Sequence, residues 1–145
     1  MNDIMGVRPP TWFWIVAVLG LVWELWGVYM YLTHVGVVPG GAGEMSEAER
    51  SLMESAPTWV TALFAIGVFS GALGALGLVL RKRWARALLI LSLVAVVLQF
   101  GAWLLLTDAV AVIGPTVYIM PAVIVAVAVL LVWAASTGVR RGWLT

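Results

Sequence analysis

The sequence predicts an all-α protein, a four-helix transmembrane bundle in a single domain over residues 1–145, with both termini on the cytoplasmic side. Three observations predict it. The first is composition: 63% of the residues are hydrophobic and 10% charged, with a mean hydropathy of +1.08. A water-soluble domain carries about a quarter charged residues, so this chain lacks the polar groups to cover a solvated surface. The second is four apolar segments, approximately residues 12–32, 58–80, 84–106 and 116–136, each of the ~20 residues that a spanning helix needs. Backbone groups in a bilayer must be satisfied internally, and four segments cannot close a barrel, so each is expected to be helical.

The third observation is the placement of charge. Arg8 precedes the first segment. Arg81, Lys82, Arg83 and Arg86 sit between the second and third, and Arg140 and Arg141 follow the fourth. Arg50 alone lies in the other loops, together with Glu44, Glu47, Glu49, Glu54 and Asp108. The positive-inside rule then puts both termini in the cytoplasm.

Composition also excludes. The chain has no cysteine, which removes disulfides, thiolate metal sites and iron–sulfur clusters. A single histidine, His34, cannot supply a bis-histidine haem. There is no glycine-rich phosphate loop, no Ser–His–Asp grouping and no pair of carboxylates at working distance. No enzyme, cofactor or metal is therefore expected, and a net charge of +1 gives no footing for nucleic acid. The leader has one arginine, the apolar run after it is longer than a signal-peptide core, and no small-residue cleavage site follows. The first span is expected to be retained.

Span one reads WFWIVAVLGLVWELWGVYMYL and contains one carboxylate, Glu24. An ionisable group at that depth costs roughly 2.5–3.5 kcal/mol on insertion scales, so it needs a partner or a task. Ala17, Gly20, Glu24, Gly27 and Tyr31 recur at spacings of three and four and share one face, so Glu24 should meet a neighbouring helix and not lipid. The outer loop from about residue 33 to 57 contains the breaker Val38-Pro39-Gly40-Gly41. Ser46 and Glu49 then form a capping-box pattern that opens a short amphipathic helix over about residues 46–55. Met45, Ala48 and Leu52 fall on one of its faces, and Glu47, Arg50 and Glu54 on another, as suits either a solvated connector or a lid over the bundle.

Span two is rich in glycine: Gly67, Gly71, Gly74 and Gly77. Small residues at this spacing let another helix approach to backbone contact, inside the bundle or on a second copy. Span three carries Ser92 and Gln99 as its polar members. Span four carries Pro121, which should free the carbonyl of Val117 and bend the helix, with Tyr118 one turn away. The motifs Pro10-Thr11-Trp12, Pro57-Thr58-Trp59 and Pro115-Thr116-Val117 each mark a helix entry. Trp12, Trp14, Trp59, Trp84, Trp133 and Trp143 fall near the membrane interfaces, as an aromatic belt. Trp23, Trp26 and Trp103 fall deeper and are the candidate contacts for a hydrophobe.

Counted from the span centres, Glu24 and Gln99 both lie slightly to the outer side, and spans one and three run in the same direction. A Glu24–Gln99 hydrogen bond is therefore expected, worth about 1 kcal/mol, with Ser70 and Tyr118 completing an intramembrane polar cluster. Two readings follow. Glu24 is a polar lock between helices, or it is a proton or cation site in an outward-facing cavity. His34 and Asp108 are expected to be solvated helix-end residues.

The runs Pro10-Thr11-Trp12-Phe13-Trp14, Trp26-Gly27-Val28-Tyr29, Pro57-Thr58-Trp59, Arg81-Lys82-Arg83-Trp84, Gly114-Pro115 through Met120-Pro121 and Arg141-Gly142-Trp143-Leu144 resemble a family of small four-span bacterial membrane proteins, over the whole chain. The resemblance implies a multi-pass protein of the bacterial inner membrane. Some members carry a "sugar transporter" label, and members often have Asn where this chain has Glu24, which fits a hydrogen-bonding role. Small multidrug-resistance transporters are similar only in layout, because they are shorter, with tight loops and a weaker basic bias.

Three functions are expected from this reading. The first is a non-catalytic structural or accessory subunit, docking on a larger membrane complex or on its own copy as a homo-oligomer through its tryptophans and the glycine face of Gly20, Gly27, Gly67, Gly71 and Gly74. The second is a small-solute or proton-coupled transporter using Glu24 and Gln99. The third is a binder of a lipid or other hydrophobe at Trp23, Trp26 and Trp103.

Overall fold

The computed structural model describes residues 7–37, 47, 51 and 54–145. Among the described residues there is no strand. Four long helices carry the fold: α1 (Thr11–His34), α2 (Thr58–Val79), α3 (Trp84–Leu106) and α4 (Ile119–Arg140). Each is apolar enough to cross a membrane, α4 together with the turn that precedes it. At 1.5 Å per residue the shortest of them, 22 residues, is about 33 Å long, against a hydrocarbon core of about 30 Å. The protein is a multi-pass, four-helix membrane bundle, as the sequence predicts. The expected helix over residues 46–55 lies mostly outside the described residues; Glu47, Ser51, Glu54 and Ser55 are helical.

Two of the three Pro-Thr motifs behave as helix entries. Pro10 and Pro57 are extended (ψ 165° and 151°) at the N-caps of α1 and α2, where a missing N–H costs nothing. The third differs. A one-turn helix (Ala109–Ile113) and Gly114 at φ 93° bring the chain to a 3₁₀ turn, Pro115–Tyr118, and the α-helix starts only at Ile119. Pro121 is thus the third residue of α4, among the first four N–H groups that never have an intrahelical acceptor. Near the outer end of span four, where the bend is expected, the chain changes from 3₁₀ to α geometry. Span four also runs past residue 136, to Arg140.

Packing is a ring in the order α1, α2, α3, α4. The α2–α3 contact is the most extensive and the α1–α4 contact the slightest of the four, while α1 and α3 lie across a diagonal. The glycines of α2 explain the close α2–α3 approach. Gly67, Gly71, Gly74 and Gly77 face Val96, Ser92, Leu89 and Ala85 of α3 in antiparallel register. A Cβ on Gly74 would lie 2.7 Å from Leu89 Cγ and 3.2 Å from the Leu89 backbone nitrogen, so only glycine fits. Gly20 takes the side chain of Leu131 from α4, and Gly27 takes Val68 from α2. The glycine face is therefore filled from within the bundle and is not open to a second copy.

The main core sits at the end of the bundle that carries both termini, called the inner end after the orientation expected from the basic residues. Phe13, Leu78, Leu89 and Leu131 are fully buried there beside Ala17, Ala85 and Ala135. The chain closes this end with its own tail. After α4, Gly142 (φ 75°) turns the backbone so that the Trp143 N–H donates to the Gly138 carbonyl at 2.8 Å, a Schellman-type stop. Trp143 and Leu144 are buried as a result. Trp143 is a core residue and not, as expected, part of an interfacial belt. Its ring lies edge-on to Phe13 and Trp12, with centroids at 5.6 and 5.5 Å.

Candidate functional site

The buried stripe of α1 is Phe13, Ala17, Gly20 and Glu24, spaced by four, three and four, so Glu24 points into the bundle as the sequence predicts. Its carboxyl group rests on α2 at Gly71. A Cβ on that glycine would lie 2.7 Å from Glu24 Cδ and 2.9 Å from Ser92 Oγ. The acid of α1 and the hydroxyl of α3 thus share one notch in the surface of α2. Ser92 Oγ donates to the Gly67 carbonyl at 2.7 Å, bracing α3 against α2 one turn further out. No hydrogen bond to the Glu24 carboxyl is present among the described residues. The surroundings are those of a wedged polar group with glycine as its floor.

The other expected members of the cluster go elsewhere. Ser70 donates to the Ile66 carbonyl in its own helix, the back-bonding habit of a mid-helix serine. Tyr118 is exposed on the 3₁₀ turn. Gln99 lies seven residues beyond Ser92 on α3, about 10 Å further out at the helical rise, and does not reach Glu24. The expected Glu24–Gln99 pairing does not form. The reason is registration: the α2 glycines set Gly71 opposite Ser92, so matching depths from span midpoints chooses the wrong residue of α3.

Gln99 belongs to a different feature. At the outer end, the last turn of α1, the first turns of α2 and the last turns of α3 diverge around a cavity of about 200 Å³. Its walls include His34, Thr61, Phe64, Gln99, Phe100 and Trp103. The ring of His34 lies against Phe64, with centroids 5.5 Å apart, and its Nδ1 is buried without a hydrogen-bond partner among the described residues. His34 is therefore not the solvated helix end that was expected. Asp108 is exposed, and its carbonyl accepts from Val112 N–H at the start of the one-turn helix.

The deep tryptophans do not form one platform. Trp26 is exposed along the side of α1 and pairs with Tyr29 at 5.4 Å, and Trp23 is half-buried. Trp103 alone of the three lines the outer cavity, and it also packs on the small outer cluster of Ala109 and Val117. Among the described residues no group of three His, Cys, Asp or Glu side chains could hold a metal ion.

Sequence reasoning missed His34, Thr61, Phe64 and Phe100 as a group. The available signal was position: the polar residues His34, Thr61 and Gln99 all stand within about two turns of the outer ends of three consecutive spans. No protein-family model, curated protein or solved structure matches the chain with significant similarity.

Proposed function

We propose that the protein is a non-catalytic membrane binder that holds a small, mostly apolar molecule with one or two polar groups in its outer cavity. The observation that carries this reading is a cavity of about 200 Å³ lined by the polar residues His34, Thr61 and Gln99 and walled by Phe64, Phe100 and Trp103. An apolar cavity of about 150 Å³ is enough for benzene, so the size suits a single aromatic ring or a body of similar bulk. His34 and Gln99 would orient it through hydrogen bonds, and the aromatic walls would enclose it. This is the hydrophobe-binding function, moved from the three deep tryptophans to a site that keeps only Trp103 of them.

Binding is favoured over translocation by the asymmetry of the bundle. The outer end is open, while the inner half is filled by Phe13, Leu78, Leu89 and Leu131 and closed by Trp143. Docking as an accessory subunit loses the glycine face as its seam, because that face is occupied within the chain.

The test is isothermal titration of the purified full chain in detergent micelles with indole and with phenol. Saturable one-to-one binding is expected. Gln99→Leu should weaken it by about tenfold, the loss of one hydrogen bond. His34→Phe should abolish it by filling the space. Absence of saturable binding, or equal affinity in both variants, would contradict the proposal.

A further inference from the structure

At the inner end, α1 and α4 are bridged by a stack of Trp12 on Trp133, with ring centroids 5.2 Å apart and planes 26° from parallel. Beside the stack is an open cleft of about 480 Å³, lined by Arg8, Thr137, Arg141 and the rings of Trp12, Trp133 and Trp143. Neither Arg8 nor Arg141 has a carboxylate or carbonyl partner among the described residues; Arg141 stands over the Trp143 ring, 5.9 Å from its centroid. Arg140 approaches from the next position and donates to Thr137 Oγ1 at 3.3 Å, which brings a third cation to the edge of the cleft. Among the described residues the acidic side chains are Glu24, Glu47, Glu54 and Asp108, and none is at this end. The cleft is thus a cationic site whose counter-charge does not come from those residues.

The tryptophans decide the kind of anion. Trp12 and Trp133 are 37% and 50% exposed on the sides of membrane-spanning helices, where indole rings mark the boundary between hydrocarbon and head groups. An occupant that satisfied the arginines would therefore have apolar chains running along the two rings. We propose that this cleft binds the phosphate of an anionic phospholipid from the inner-end leaflet, with Arg8 and Arg141 on the phosphate and an acyl chain against Trp12 and Trp133. Basic pockets between spanning helices on this side of a membrane suit such head groups. The site is separate from the outer cavity and stands without it.

Native mass spectrometry of the full chain in detergent micelles tests the proposal, with dioleoyl phosphatidylglycerol or dioleoyl phosphatidylcholine added at equal concentration. The anionic phosphatidylglycerol should be retained over the zwitterionic phosphatidylcholine. The double variant Arg8→Gln/Arg141→Gln should bind it on the order of tenfold more weakly, whereas Arg83→Gln/Arg86→Gln, with the same charge removed from exposed positions outside the cleft, should change binding by less than about twofold. Equal retention of the two lipids, or equal losses in the two double variants, would overturn the proposal. So would full displacement of the lipid by glycerol phosphate at the same concentration, which would make this a site for a soluble anion. Unfolding midpoints of both double variants within about 4 °C of the parent would establish that the comparison is between folded proteins.

Discussion

The carboxyl group of Glu24 sits in the notch left by Gly71, so that a methyl group on that glycine would lie 2.7 Å from Glu24 Cδ. One helix supplies the acid and the next supplies the missing side chain that makes room for it. Ser92 enters the same notch from the third helix. Three spans are keyed to one another at this point, and the first predictions follow from it.

Gly71→Ala should destabilise the bundle by about 1–3 kcal/mol, the usual cost of forcing extra volume into a packed contact. Gly101→Ala is the matched control, since nothing lies within 4 Å of a Cβ there, and it should be neutral or slightly stabilising. Reversible unfolding in mixed micelles measures both. Part of the Gly71→Ala cost should disappear in a Glu24→Ala background, because the two positions share the same space.

Glu24→Gln keeps the shape of the side chain and removes its acid function. If the residue is a wedge between helices, the unfolding free energy should change by less than about 1 kcal/mol. Indole affinity should not change either, because Glu24 is not among the residues lining the outer cavity. A lost affinity would tie the acid to the cavity and contradict this assignment.

Arg81 ties the inner end together. It lies in the left-handed region (φ 58°) at the end of α2, its Nε donates to the Trp143 carbonyl at 3.0 Å, and an Nη donates to the Val7 carbonyl at 2.9 Å. Its own carbonyl accepts from the Thr145 N–H at 3.0 Å. Arg81→Ala should therefore loosen both chain ends and raise the accessibility of Trp143 to a fluorescence quencher. Arg81→Gly should be less damaging than Arg81→Ala by about 1 kcal/mol, because glycine adopts the left-handed conformation without steric cost.

Pro121→Ala should change stability by less than about 0.5 kcal/mol. A proline that kinked the middle of a span would give a larger effect, but this one is in the first turn of α4, where its N–H has no acceptor to lose. Thermal unfolding of the variant in micelles is sufficient to decide.

The architecture was legible in the sequence because bilayer physics leaves few options. Apolar length, the Pro-Thr entries at Pro10 and Pro57, and the glycines of span two all translate directly into structure. The inward turn of Glu24 was legible too, from its spacing to Ala17 and Gly20. Pairing across the bundle was not. Whether Glu24 meets Ser92 or Gln99 depends on a relative shift of helices by two turns, which the α2–α3 glycine contacts set and no single span reveals. The outer cavity was hidden for a related reason: His34, Thr61 and Gln99 come together only because three helix ends diverge. The tail is not legible from Trp143 alone, because a tryptophan just past a span suits an interface as well as a core; Gly142 before it is the residue that lets the chain turn back.

His34 is the single histidine of the chain, so one labelled ring reports directly on the outer cavity. The most direct test is the ¹⁵N spectrum of the His34 imidazole in the full chain, recorded in micelles while indole is added. The binding account predicts that the Nδ1 resonance moves saturably and that the Gln99→Leu variant needs about tenfold more indole for the same shift. An Nδ1 signal that stays in place throughout the titration would contradict it.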